Sequence, residues 1–102
     1  MREFLDEYLR KTSTLIEQLG AALDSANAAD VELLAHRCRG ASANFGIEAM
    51  VHPMAQLEQA ARSKDWANGP RLLAEAQEAF ALVQKLLLSR IESSKPDISQ
   101  TD

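Results

Sequence analysis

Apolar residues in this chain recur at the spacing of an α-helix. Phe4, Leu5, Tyr8, Leu9, Leu15, Ile16, Leu19 and Leu23 follow one another by steps of one, three and four, with Thr12 filling the single gap. Such a segment lines one face of a helix but would scatter its apolar side chains over both faces of a strand. The rest of the composition agrees. There are 17 Ala and 14 Leu against three Val, four Ile and three Thr, so strong helix formers far outnumber β-branched residues. With four Gly and three Pro in 102 residues, breaks are few.

The breaks that exist divide the chain into four helices. The first is predicted from about Glu3 to Asp24, with Gly20 inside it at a cost of about 1 kcal/mol relative to Ala. Asn27 is a good N-cap, and Asp30 lies near the positive end of the next helix dipole. That second helix is predicted from Ala28 to about Phe45, with Gly46 as a left-handed terminator. The third starts at Ile47 or Glu48 and reaches about Arg62, with Met50, Met54, Leu57 and Ala61 on its apolar face. Pro53 would kink a helix beyond its first turn, so an irregular start is expected there. The fourth begins between Asp65 and Pro70 and carries Leu72, Leu73, Ala76, Phe80, Val83, Leu86, Leu87 and Ile91. Four amphipathic helices with short loops predict an all-α, antiparallel up-down-up-down four-helix bundle over residues 1–92. Residues 93–102, SSKPDISQTD without apolar periodicity, are expected to form a disordered polar tail.

Several function classes fall away. One Cys supports neither a disulfide scaffold nor a four-Cys zinc site. No apolar run approaches the ~20 residues of a membrane span, and the acidic start has no signal-segment character. A net charge of −4 argues against general nucleic-acid binding. The expectation is a soluble, cytoplasmic, small helical domain.

The second helix is the informative one. A helix turns by about 100° per residue, so with Leu34 as the origin Val31 lies at about 60°, Cys38 at about 40°, Ala41 at about −20° and Phe45 at about 20°. These form the predicted core stripe. His36 falls at about 200°, almost diametrically opposite, with Arg39 at about 140°, Gly40 at about 240° and Ala43 at about 180°. An outward imidazole therefore has a cation at i+3, a bare glycine at i+4 and an alanine at i+7. A glycine inside a helix requires a reason, either close helix packing or close approach by another molecule. Neutral imidazole has a nucleophilic ring nitrogen near pH 7. Arg39 would disfavour imidazolium and offset phosphoryl charge.

The segment Ala35-His36-Arg37-Cys38-Arg39-Gly40-Ala41-Ser42-Ala43-Asn44-Phe45-Gly46 resembles the motif A-H-x-L-K-G-S-S-A-N-x-G of histidine-containing phosphotransfer (HPt) domains. Phe4-Leu5 resembles the family's opening helix. Asn27 stands where the family often has an Asp cap, and Leu57-Glu58 followed by Ala61-Arg62 resembles its L-E-x-x-A-R segment. The resemblance implies a monomeric four-helix bundle that relays phosphoryl groups in a His-Asp phosphorelay. It implies His36 as the phosphorylated residue, Arg39 as the assisting cation in place of Lys, and Gly40 as steric clearance. Glu58 matches the Gln or Glu that orients the imidazole. Leu33 and Ala43 would help to dock the partner. Partners implied are response-regulator receiver domains and a hybrid sensor histidine kinase. The domain itself would hold no cofactor and no metal, because the receiver supplies the aspartyl phosphate, the Mg²⁺ and the catalytic groups. Cys38 stands where Leu is usual and, being on the core stripe, reads as a small hydrophobe.

Other residues read more simply. His52 is expected at the surface, Trp66 as a cap on the bundle end, Met50 and Met54 in the core, and the acidic residues along solvated faces. A metal site from His36, Cys38 and His52 is disfavoured, since the first two lie on opposite sides of one helix. The rival reading is a helical adaptor that binds signalling proteins without phosphotransfer. Such a protein needs neither His36 nor Gly40.

Overall fold

The computed structural model describes residues 2–93, which form four helices: α1 (Arg2–Asp24), α2 (Ala28–Asn44), α3 (Glu48–Ser63) and α4 (Gly69–Ser93). The connections are three, three and five residues long, so each helix runs antiparallel to its predecessor. Each helix packs on the next and α4 returns to α1, with no diagonal pair among the described residues. This closed ring is the up-down-up-down bundle that the periodicity predicts. Residues 94–102, most of the predicted tail, lie outside the described residues, and Ser93 belongs to α4.

Each terminator has a local cause. The Asn27 side chain accepts from the Asp30 amide at 3.1 Å and its amide group donates to the Asp30 carboxylate at 2.9 Å. At the far end of α2, Gly46 has φ +69°. Its amide bonds the Ala43 carbonyl at 3.0 Å, and the Ile47 amide reaches back to Ser42 at 2.8 Å. That double bond pattern closes a helix on a left-handed residue. Phe45 is the C-cap of α2, one residue outside the helix.

The core is built from Leu19, Val31, Met50, Met54 and Leu57, all fully buried. Thr12 is buried on the α1 stripe as its position requires, and Trp66 packs against the core from the loop before α4. The Tyr8 hydroxyl and Ser42 Oγ meet at 2.7 Å inside the α1–α2 interface. This satisfies two buried polar groups and pins the two helices in register.

Three expectations need correction. First, α3 starts regularly at Glu48, and Pro53 sits buried as its sixth residue. The proline withholds one amide from the Ala49 carbonyl, yet the helix continues because its ring fills core space. Second, the buried face of α2 consists of Val31, Ala35, Cys38 and Ser42. Its centre lies about 50° from the predicted stripe. Ala35 and Ser42 carry little apolar signal, while Leu34 and Ala41, only partly buried, drew the predicted centre away, and Phe45 at that centre is 39% exposed. Third, Leu86 is 59% exposed. It stands on the flank of the α4 stripe, beside the start of α3, where it borders an open cavity with Ile47 and Ala49. The predicted Ile91 contact falls where side chains are not described.

Candidate functional site

The rotation of α2 decides where its histidine looks. With the core face centred about 50° closer to His36, the imidazole lies near the α3 edge of the solvent face instead of opposite the core. Its side chain is 64% exposed, yet Nδ1 is 3.0 Å from Oε2 of Glu58 on α3. Glu58 is the exception among the acidic residues. Its side chain is only 4% exposed, which corrects the expectation that all carboxylates line solvated faces.

A buried carboxylate needs partners, and Glu58 has several. Arg39 Nε donates to Oε1, and Arg39 Nη2 lies 3.4 Å from Oε2. Arg62 Nη2 stands 3.9 Å from Oε2. Burial by itself would push the Glu58 carboxyl upward, but hydrogen bonds from Arg39 and His36 and the Arg39 charge outweigh it. The group is held below its ordinary value of 4.5. The hydrogen bond to Glu58, followed by the carboxylate charge, raises Arg39 in turn.

A carboxylate only accepts, so Nδ1 facing it carries a proton, and in the neutral ring Nε2 then keeps its lone pair. Arg39 Nη2 also comes within 3.3 Å of Nδ1. In that tautomer both nitrogens are donors, so this is proximity and not a second hydrogen bond. The site thus presents one free ring nitrogen to solvent, with the other tied to a buried anion.

The surface beside the imidazole is bare. A Cβ built on Gly40 would meet nothing within 4 Å, so no neighbouring helix requires the glycine. Of the two reasons weighed for it, close helix packing is removed. Ala43 is exposed, and Leu33 is 46% exposed one turn before His36. Leu33 borders a groove of about 400 Å³ lined also by Ala29, Glu32, His36, Glu58 and Arg62. The six residues singled out by the sequence therefore share one face formed by α2 and α3. Cys38 does not: it is buried, and burial pushes its thiol up to about 11. His52 is exposed, while Met50 and Met54 are in the core.

The family model described as Hpt domain matches residues 3–93. The chain belongs to the Hpt domain family. Among solved structures it is similar to histidine-containing phosphotransfer protein B (HptB) from Pseudomonas aeruginosa PAO1. The TM-score is 0.88 at 24% identity, over 92% of this chain and 82% of that one; this likeness establishes the fold. No curated protein matches. Hpt domains are phosphocarriers of two-component signalling and not catalysts in their own right, and they interact with receiver domains and kinases. Among the described residues of this Hpt domain, no helix is long and apolar enough to cross a membrane.

Two residues of the face had no role in the sequence reading. Arg62 Nε bonds Glu32 Oε2 at 2.8 Å across the α2–α3 groove. A signal for both exists in the sequence: Glu32 precedes His36 by four residues, and Arg62 follows Glu58 by four. That spacing stacks each pair on one helix face.

Proposed function

We propose that this Hpt domain is an intermediate carrier in a multistep His-Asp phosphorelay, with His36 as the phosphoryl acceptor. The observation that carries the reading is the imidazole pinned through Nδ1 to buried Glu58, leaving Nε2 free on an exposed surface. In the proposed step Nε2 attacks phosphorus in line with the departing oxygen of a receiver aspartyl phosphate. The N–P bond forms as the O–P bond breaks, and the aspartate leaves as a carboxylate. The ring gains positive charge in the process, and the Glu58 carboxylate offsets it through the shared Nδ1 proton. A phosphoimidazole that keeps that proton remains a good leaving group, so the phosphoryl group stays transferable to a second receiver.

Transfer of this kind depends on positioning and charge more than on covalent help from the carrier. α2 supplies the positioning: the imidazole stands on a packed helix and is oriented from a second one. Arg39 fixes Glu58 and contributes positive potential. The flat surface of Leu33, Gly40 and Ala43 lets a receiver approach, whose own Mg²⁺ and acidic residues complete the reaction. A hybrid sensor kinase, a monomeric state and a cytoplasmic location belong to the same reading.

The test uses receiver domains charged with acetyl phosphate. Wild-type protein is expected to take up acid-labile, base-stable phosphate, and His36→Gln is expected to take up none while keeping its helical circular dichroism. Acid-labile phosphate on the His36→Gln protein would overturn the assignment. An adaptor without phosphotransfer would bind receivers equally well with either residue and carry no phosphate.

A further inference from the structure

Two guanidinium groups flank the reactive imidazole, and they are held very differently. Arg39 uses both Nε and Nη2 on Glu58, whose side chain is 4% exposed. If Arg39 left, a buried carboxylate would lose its main partner, which is costly. Arg62 touches that carboxylate only at 3.9 Å and commits its Nε to Glu32 at 2.8 Å. Both members of this second pair are about half in solvent, and an exposed ion pair contributes little and exchanges readily. The two cations are therefore not equivalent: one is an anchor and the other is available.

Building on the phosphocarrier reading, we infer that Arg62 is a reserve cation for the phosphoryl group on His36, restrained by Glu32 until that group arrives. Arg62, Glu32, Glu58 and His36 line one groove with Ala29 and Leu33, so a phosphoryl group on the imidazole enters space that Arg62 already borders. Phosphorylation places nearly two negative charges there, against the single charge of Glu32. The guanidinium then gains more by turning to the phosphoryl oxygens than by staying on Glu32. Glu32 also has a second effect. It sits one turn before His36 on the same helix and, uncovered, repels the phosphoryl group. The charged groups facing this point are Glu32 and Arg39 from α2 and Glu58 and Arg62 from α3. In this arrangement Arg62 and Glu32 are positioning and electrostatic residues, and the nucleophile remains His36.

The test phosphorylates the purified chain with phosphoramidate, where the imidazole nitrogen displaces ammonia at phosphorus. The second ionisation of the phosphoryl group is then followed by ³¹P NMR. A nearby cation favours the dianion. Arg62→Ala is expected to raise the midpoint by about half a pH unit, a roughly threefold weaker acid. Arg62→Lys keeps it near wild type, and Glu32→Gln lowers it. All shifts shrink in about 1 M salt, which a merely structural role of Arg62 would not produce. Midpoints of Arg62→Ala and Glu32→Gln within about 0.1 unit of wild type at low salt would overturn the inference while leaving the phosphocarrier reading intact. A wild-type protein without a phosphohistidine resonance would remove that reading, and this inference with it.

Discussion

Gly40 carries two opposite demands. As a residue in the middle of α2 it weakens the helix, and nothing inside the molecule asks for it, because a Cβ there points into open space. Gly40→Ala is therefore expected to stabilise the protein by about 1 kcal/mol, measured by urea unfolding. Gly40→Gln keeps the helix but places a long side chain one turn from Nε2. Transfer from a charged receiver is expected to fall by roughly a hundredfold, since a displacement of about 1 Å at the reacting atoms has that effect. Unchanged transfer in Gly40→Gln would show that no partner occupies this surface. The outward side chain of His36 and the bare glycine beside it were legible from helical phase alone. The orientation of the imidazole was not, because Nδ1 is fixed by a carboxylate 22 residues away. A single helix cannot reveal which neighbour stands across its groove. The family resemblance supplied Glu58 where periodicity could not.

The helix ends illustrate how one backbone solution is reached with different residues. α1, α2 and α3 all close on a left-handed residue with the same pair of reversed hydrogen bonds. In α1 the Ala26 amide bonds Leu23 at 3.0 Å and Asn27 bonds Ala22 at 2.9 Å. In α3 Lys64 bonds Ala61 at 3.2 Å and Asp65 bonds Ala60 at 2.8 Å. Only the α2 end uses glycine; Ala26 has φ 52° and Lys64 φ 55°. A side chain in that region costs about 1–2 kcal/mol, partly offset by the smaller entropy of the unfolded chain. Ala26→Gly is thus expected to stabilise by roughly 0.5 kcal/mol and Gly46→Ala to destabilise by about 1 kcal/mol. Shifts of opposite sign in urea midpoint without a change in slope would bear this out; a destabilised Ala26→Gly would refute it. The Gly46 stop was legible because glycine announces it, whereas the stops at Ala26 and Lys64 were marked only by the polar stretches Asp24-Ser25-Ala26-Asn27 and Ser63-Lys64-Asp65. The facing of α2 was misjudged for a related reason. Its buried face rests on Ala35 and Ser42, and the partner that buries Ser42 is the Tyr8 hydroxyl on another helix.

At the scale of the molecule, the bundle buries one charge beside the proposed phosphoryl acceptor. Most of the structure is an apolar core whose helices and order follow from periodicity. Glu58 is the place where that logic is broken, in the α2–α3 interface directly behind the face that carries His36. Its carboxyl is held below its ordinary value of 4.5 by Arg39 and His36 despite the burial that pushes it up. A group whose pKa is lower in the folded state binds fewer protons there than in the unfolded chain. Its contribution to stability is therefore complete above about pH 4.5 and is lost as the pH falls through the folded value. Glu58→Gln removes this linkage while keeping the shape. The variant is expected to be less stable than wild type near neutral pH, because two guanidiniums lose their anion. The difference is expected to stay level down to roughly pH 5 and then to narrow toward pH 3 as the wild-type carboxylate takes up its proton. Urea unfolding of both proteins across that range measures the gap directly. A gap that stays constant or widens in acid would mean that Glu58 is not the ionised anchor of the site, and the imidazole would then need another explanation for the nitrogen it presents.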